Sequence, residues 1–128
     1  MVGILLLTHA PLGNAFVEAA SHVFQRLPER LEAIDVWADQ EPQEVQRLAE
    51  EAIARLNDGD GVLVLTDVIG GTPCNCTLSL CEPEHVEVLA GISLPMLLRA
   101  LTYRHESLSR VVERAMAGAQ TGAVHLGP

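Results

Sequence analysis

Apolar residues fall along this chain in two alternating patterns: short continuous runs, and longer stripes at helical spacing. Gly3-Ile4-Leu5-Leu6-Leu7 is the kind of run that a strand buried on both faces requires, and it predicts strand one. From Asn14 onward, Phe16, Ala20, Val23, Phe24 and Leu27 recur at helical spacing with Glu18 and His22 opposite, and Pro28 stops that helix. Leu31 to Trp37 reads as strand two, with Glu32 and Asp35 pointing to an edge position. Pro42 suits the first turn of a second helix. Val45, Leu48, Ala49, Ala52, Ile53 and Leu56 form its stripe, ended by Asn57-Asp58-Gly59-Asp60-Gly61. Val62-Leu63-Val64-Leu65 is strand three, followed by a Gly-Gly turn and a short helix from Pro73. Val86 to Ala90 is strand four, and Ser93 with Pro95 opens a helix carrying Met96, Leu97, Ala100 and Leu101. Ser107 is the expected N-cap of a last helix with Leu108, Val111, Val112 and Ala115 inward. The tail Ala123-Val124-His125-Leu126 is expected to add a small fifth strand.

Strands alternating with helices imply an α/β, doubly wound, mainly parallel sheet with right-handed crossovers. Four such strands are expected in the order 2-1-3-4, with the short C-terminal fifth strand beyond them. No repeat, linker or low-complexity stretch interrupts the chain, so residues 1–128 are expected to form one domain. In this topology the functional crevice lies outside the carboxyl ends of strands one and three, where the winding reverses. The pattern therefore nominates a place before any motif is considered.

Composition narrows the chemistry. Aromatic content is 3%, so Leu, Val, Ile and Ala must build the core. The net charge is −9 and the sequence contains no lysine, its eight basic residues all being arginines. Such a balance argues against nucleic acid and anionic membrane as partners. It also removes any P-loop lysine, Schiff-base lysine or lysine beside an acyl phosphate. The longest apolar runs are too short to cross a bilayer, and Met1 leads straight into a strand, so no membrane insertion is expected. Three cysteines within eight positions do not make a secreted disulfide framework, which favours a reducing cytoplasm.

Strand one ends in Thr8-His9 and strand three in Thr66-Asp67, so the topology brings an imidazole and a carboxylate together at the nominated crevice. A carboxylate bonded to one ring nitrogen fixes the tautomer and leaves the other nitrogen as a nucleophile. Gly70-Gly71-Thr72-Pro73 follows, with two glycines for a tight turn, Thr72 as the expected N-cap and Pro73 at the first helical position. A helix start there presents backbone N–H groups to an anion such as phosphate. Taken singly, His9 reads as a loop residue and Gly-Gly-Thr-Pro as a turn. Their joint placement at one crevice points to chemistry instead.

The chain resembles the IIA component of the mannose-family phosphoenolpyruvate-dependent sugar phosphotransferase system. Three stretches carry the resemblance, in family order and spacing over essentially the whole chain: residues 4–9 (ILLLTH), residues 61–75 (GVLVLTDVIGGTPCN) and residues 90–97 (AGISLPML). The resemblance implies that His9 is phosphorylated, that Asp67 orients it by a hydrogen bond, and that the Thr72 hydroxyl lies near the phosphoryl group, with Thr8, Gly70 and Gly71 completing the phosphate site. It further implies HPr as phosphoryl donor, a separate IIB protein as acceptor, and a homodimer in which the last strand crosses to the partner's sheet. No metal or cofactor is required when the phosphoryl group arrives already activated on another histidine. Ala10-Pro11, Cys74 and Ser93 depart from the family's usual Gly, Phe and Asn, and bear on partner recognition rather than on the reacting groups. Two other functions use similar parts: a regulatory phosphohistidine module that binds a target without passing phosphate on, and a relay subunit feeding a small-ketone kinase.

Cys74-Asn75-Cys76, with Cys81 and His85, makes a poor zinc site, because helical residues two apart point about 200° around from each other. Cys74 and Cys81 are expected on one helical face with Leu78, as core residues. His22, His85, His105 and His125 read as surface or satisfied residues. A receiver domain phosphorylated on Asp67 is excluded, since it needs an acidic pair after strand one and a lysine.

Overall fold

A computed structural model describes residues 1–127. Its elements run β1 (Gly3–His9), α1 (Leu12–Phe24), β2 (Leu31–Val36), α2 (Pro42–Leu56), β3 (Val62–Thr66), α3 (Thr72–Leu78), β4 (Val86–Ala90), α4 (Leu94–Tyr103) and α5 (Leu108–Gly122). The four strands form one parallel sheet in the expected order β2-β1-β3-β4.

The continuous apolar runs are explained by burial on both faces. In β1, Ile4 and Leu6 join Leu63 and Leu65 of β3 under α1, α4 and α5, while Leu5 and Leu7 join Val62 and Val64 under α2 and α3. Each strand thus supplies alternate residues to two separate cores. Ser93 and Ser107 cap α4 and α5 as expected, their hydroxyls accepting from the N–H groups of Met96 and Arg110, each at 3.3 Å.

The structure corrects several expectations. No fifth strand forms among the described residues: α5 runs to Gly122, and residues 123–127 lie exposed without strand pairing. A strand needs a neighbour to supply its hydrogen bonds, and within this chain the tail reaches none. β2 stops at Val36 rather than Trp37, because the Trp37 N–H turns away to donate to Gln40 Oε1 at 2.7 Å. α1 begins at Leu12, two residues earlier than its apolar stripe indicates, for a reason given below. Finally, α3 ends at Leu78, so Cys81 lies outside the helix and is exposed, as is Leu78. Cys74 and Cys76 are the buried pair, and the Cys76 thiol reaches the Pro42 carbonyl at 3.5 Å.

Candidate active site

His9 is the last residue of β1, and Asp67 directly follows β3. Because these strands are adjacent and parallel, their ends deliver both side chains to the crevice at the winding reversal. The His9 ring nitrogen Nδ1 lies 2.7 Å from Asp67 Oδ2, and the His9 backbone N–H donates to the same oxygen at 3.2 Å. With Nδ1–H donating to the carboxylate, Nε2 carries the free lone pair. The imidazole is 50% exposed whereas Asp67 is 11% exposed, so the ring faces outward from a sheltered carboxylate.

Two influences act in opposite directions on the Asp67 carboxyl. Burial pushes it up, while the hydrogen bonds from the His9 ring and backbone pull it down, and the net effect holds it below its ordinary range. Asp67 is therefore ionised wherever the protein is folded at neutral pH.

Gly71 abuts the histidine. A Cβ built on it would stand 2.9 Å from His9 Cε1 and 3.5 Å from Nε2, and 3.3 Å from a Val68 methyl. Any side chain here would press on the Cε1–Nε2 edge of the ring. Gly70 has φ +83°, a conformation that glycine alone adopts without strain, and it stands clear of the ring. Gly71, not Thr72, is the N-cap of α3, with extended backbone (φ −77°, ψ 164°) and no side-chain cap. Thr72 becomes the first helical residue, and it lines a cavity of about 300 Å³ together with His9, Ala10, Val36, Trp37, Ala38 and Gln40. Thr8 is fully buried, and its hydroxyl donates to the His9 carbonyl at 3.2 Å, supporting the backbone beneath the ring.

Sequence reasoning did not single out Trp37, Gln40 or the apolar rim. Leu12 at the start of α1 and Trp37, Val68 and Ile69 on the loops are large apolar residues exposed at this end of the sheet, Ile69 at 86%. Isolated apolar residues in loops carry no periodicity, and only the fold gathers them at one end. The same loops carry Asp39 and Glu41, with Glu44 in the first turn of α2, while residues 9–14, 37–44 and 67–75 contain no arginine. His22, His85, His105 and His125 are exposed and distant in chain position from this pair.

A doubly wound parallel α/β fold with a histidine–aspartate pair at its switch point defines a class of small domain. This chain belongs to the EIIA-man family, described as the PTS system fructose IIA component, whose model matches residues 3–116. It is similar to the PTS system fructose-specific EIIA component of Bacillus subtilis, 27% identical over 122 residues, covering 94% of this chain and 83% of that protein. It is also similar to the PTS system mannose-specific EIIAB component of Escherichia coli, 37% identical over 78 residues. That second match covers 57% of this chain and only 24% of the longer protein. In fold, it resembles the phosphotransferase system component EIIA from Streptococcus agalactiae with a TM-score of 0.88, covering 98% of this chain and 97% of that one at 24% identity. The chain is thus a phosphotransferase-system IIA component, and its general role is that of a transferase.

Proposed function

We propose that this chain is a cytoplasmic phosphocarrier, that residues 1–128 act as one domain, and that His9 Nε2 is its acceptor atom. The observation that carries this reading is the 2.7 Å contact between His9 Nδ1 and Asp67 Oδ2, which leaves Nε2 as the free, outward nitrogen. The phosphoryl group comes from the phosphohistidine of HPr. As the Nε2 lone pair forms the new N–P bond, the donor's N–P bond breaks and its electron pair returns to the donor ring. Nδ1 keeps its proton throughout, and Asp67 stabilises the positive charge that the ring gains. Thr72 lines the same cavity as His9 and Gly71 abuts the ring, which suits them to hold the phosphoryl oxygens. The reverse step, with a separate IIB protein as acceptor, uses the same geometry.

The surroundings favour a protein as donor and acceptor. Exposed Leu12, Trp37, Val68 and Ile69 offer apolar area that a partner would cover. The acidic loops supply no cation for the phosphoryl oxygens, so the docking protein brings the positive charge. Incubation with enzyme I, HPr and labelled phosphoenolpyruvate tests the reading. One phosphoryl group per chain is expected on the peptide containing His9, discharged on addition of a cognate IIB protein. No labelling of the folded protein by phospho-HPr would contradict it.

A further inference from the structure

The turn that carries His9 joins β1 to α1, and two consecutive residues of β2 hold both of its limbs. On the first limb, the Ala10 N–H donates to the Val36 carbonyl at 3.0 Å. On the second, Asp35 reaches the start of α1: its Oδ2 accepts from Asn14 Nδ2 at 2.7 Å, and its Oδ1 lies 3.4 Å from the Asn14 backbone nitrogen. α1 has no cap of its own, since Pro11 stands at the N-cap without a side-chain bond and no acidic residue lies in the first turn. Asp35 is therefore a cap supplied by the neighbouring strand, placing a carboxylate where the first-turn N–H groups need an acceptor. This explains why α1 begins at Leu12, ahead of its apolar stripe.

The packing around this contact leaves it no slack. Gly13 is buried between the elements, and a Cβ there would come within 2.8 Å of Asp35 Oδ1 and 3.1 Å of Thr8 Oγ1. Thr8 in turn donates to the His9 carbonyl and lies opposite Asp35 in the β1–β2 register. Asp35, Gly13 and Thr8 thus form a clasp directly beneath the His9 turn, on the side away from Asp67. We propose that Asp35 is a positioning residue, whose clasp on α1 fixes the His9–Leu12 turn so that the ring meets Asp67 and turns Nε2 outward. The proposal rests on His9 being the phosphoryl acceptor, and it assigns Asp35 a role beyond an edge-strand polar residue.

Misplacement of a reacting atom by a fraction of an ångström slows transfer without abolishing binding. Asp35→Ala removes both acceptors. It is expected to lower the single-turnover rate of transfer from saturating phospho-HPr about tenfold, with the donor concentration at half-saturation changed less than about twofold. Asp35→Asn keeps an oxygen acceptor and should recover most of that rate. Should Asp35→Ala fail to fold, Asn14→Ala and Gly13→Ala disturb the same clasp from the helix side and are expected to show the same split. Nitrogen-resolved NMR of the His9 ring provides a second readout that needs no donor. The parent protein should show the Nδ1-protonated tautomer, and the clasp variants a mixture. Folded variants with lowered thermal stability but unchanged single-turnover rate and unchanged ring tautomer would overturn the proposal. Failure of the parent protein to accept phosphate would instead remove the phosphocarrier reading and leave the tautomer result to judge the clasp.

Discussion

At the residue scale, the Asp67 carboxylate holds His9 by ring nitrogen Nδ1 and by its backbone N–H, and the proposed role of that hold is to fix the ring tautomer. Asp67→Asn keeps the shape but loses the charge and the certainty of the tautomer. The expected result is a correctly folded protein whose rate of acceptance from phospho-HPr falls by about 10- to 1,000-fold in rapid-quench kinetics, less than for serine hydrolases because the donor is activated. The pH dependence has a definite sign. The Asp67 carboxyl is depressed by its bonds from His9, so its contribution to stability is fully present above the unfolded value of about 3.9 and is lost as pH falls through the lower folded value. Acid melts of the parent should therefore steepen below pH about 4 relative to Asp67→Asn. Gly71→Ala makes a sterically distinct case, because the added methyl would meet His9 Cε1 at 2.9 Å. Phosphorylation measured by mass spectrometry should drop at least about tenfold, while Gly70→Ala, facing open space, acts only through backbone strain.

At the scale of elements, legibility followed the source of each constraint. β4 and the caps at Ser93 and Ser107 were readable because their signals lie within a few residues of one another. His9 and Asp67 were readable because each ends an apolar run and the topology makes those ends neighbours. The start of α1 was not, since its cap comes from Asp35, 21 residues further along the chain. The cap of α3 falls one position before Thr72, at Gly71, a difference that backbone angles decide and residue preference does not. Arg104 shows the same limit more sharply. In the sequence it sits in a polar turn after α4, yet it is 5% exposed and donates to the carbonyls of Val2, Glu29 and Arg30, up to 102 residues away. Burial pushes its guanidinium down from the ordinary value, but Arg remains charged in proteins. Arg104→Leu removes the donor to the Val2 and Glu29 carbonyls, while the Arg30 carbonyl keeps the Ile4 N–H, and should cost roughly 2–4 kcal/mol in urea denaturation. A loss under about 0.5 kcal/mol would show that the carbonyls find other partners.

At the scale of the molecule, the sheet leaves two edges, and they differ. Glu32 of β2 is paired with Arg55 and Asp35 with Asn14, while Val88, Leu89 and Ala90 of β4 pair only to β3. The exposed tail with Val124 and Leu126 suits such an edge on a second copy, which is how the expected fifth strand would find its neighbour. Sedimentation at micromolar concentration should give a dimer, and removal of residues 121–128 a monomer or an insoluble chain. A full-length monomer would contradict the swapped strand while leaving the chemistry of His9 intact. That chemistry is the central claim, and the most direct measurement compares label from phospho-HPr on the parent, His9→Ala and Asp67→Asn proteins, with the chemical lability of the product. No label is expected on His9→Ala, slowed label on Asp67→Asn, and a bond that is stable in alkali and labile in acid. Label retained on His9→Ala but absent from Asp67→Asn, in an alkali-labile bond, would make the carboxylate the acceptor and contradict the account.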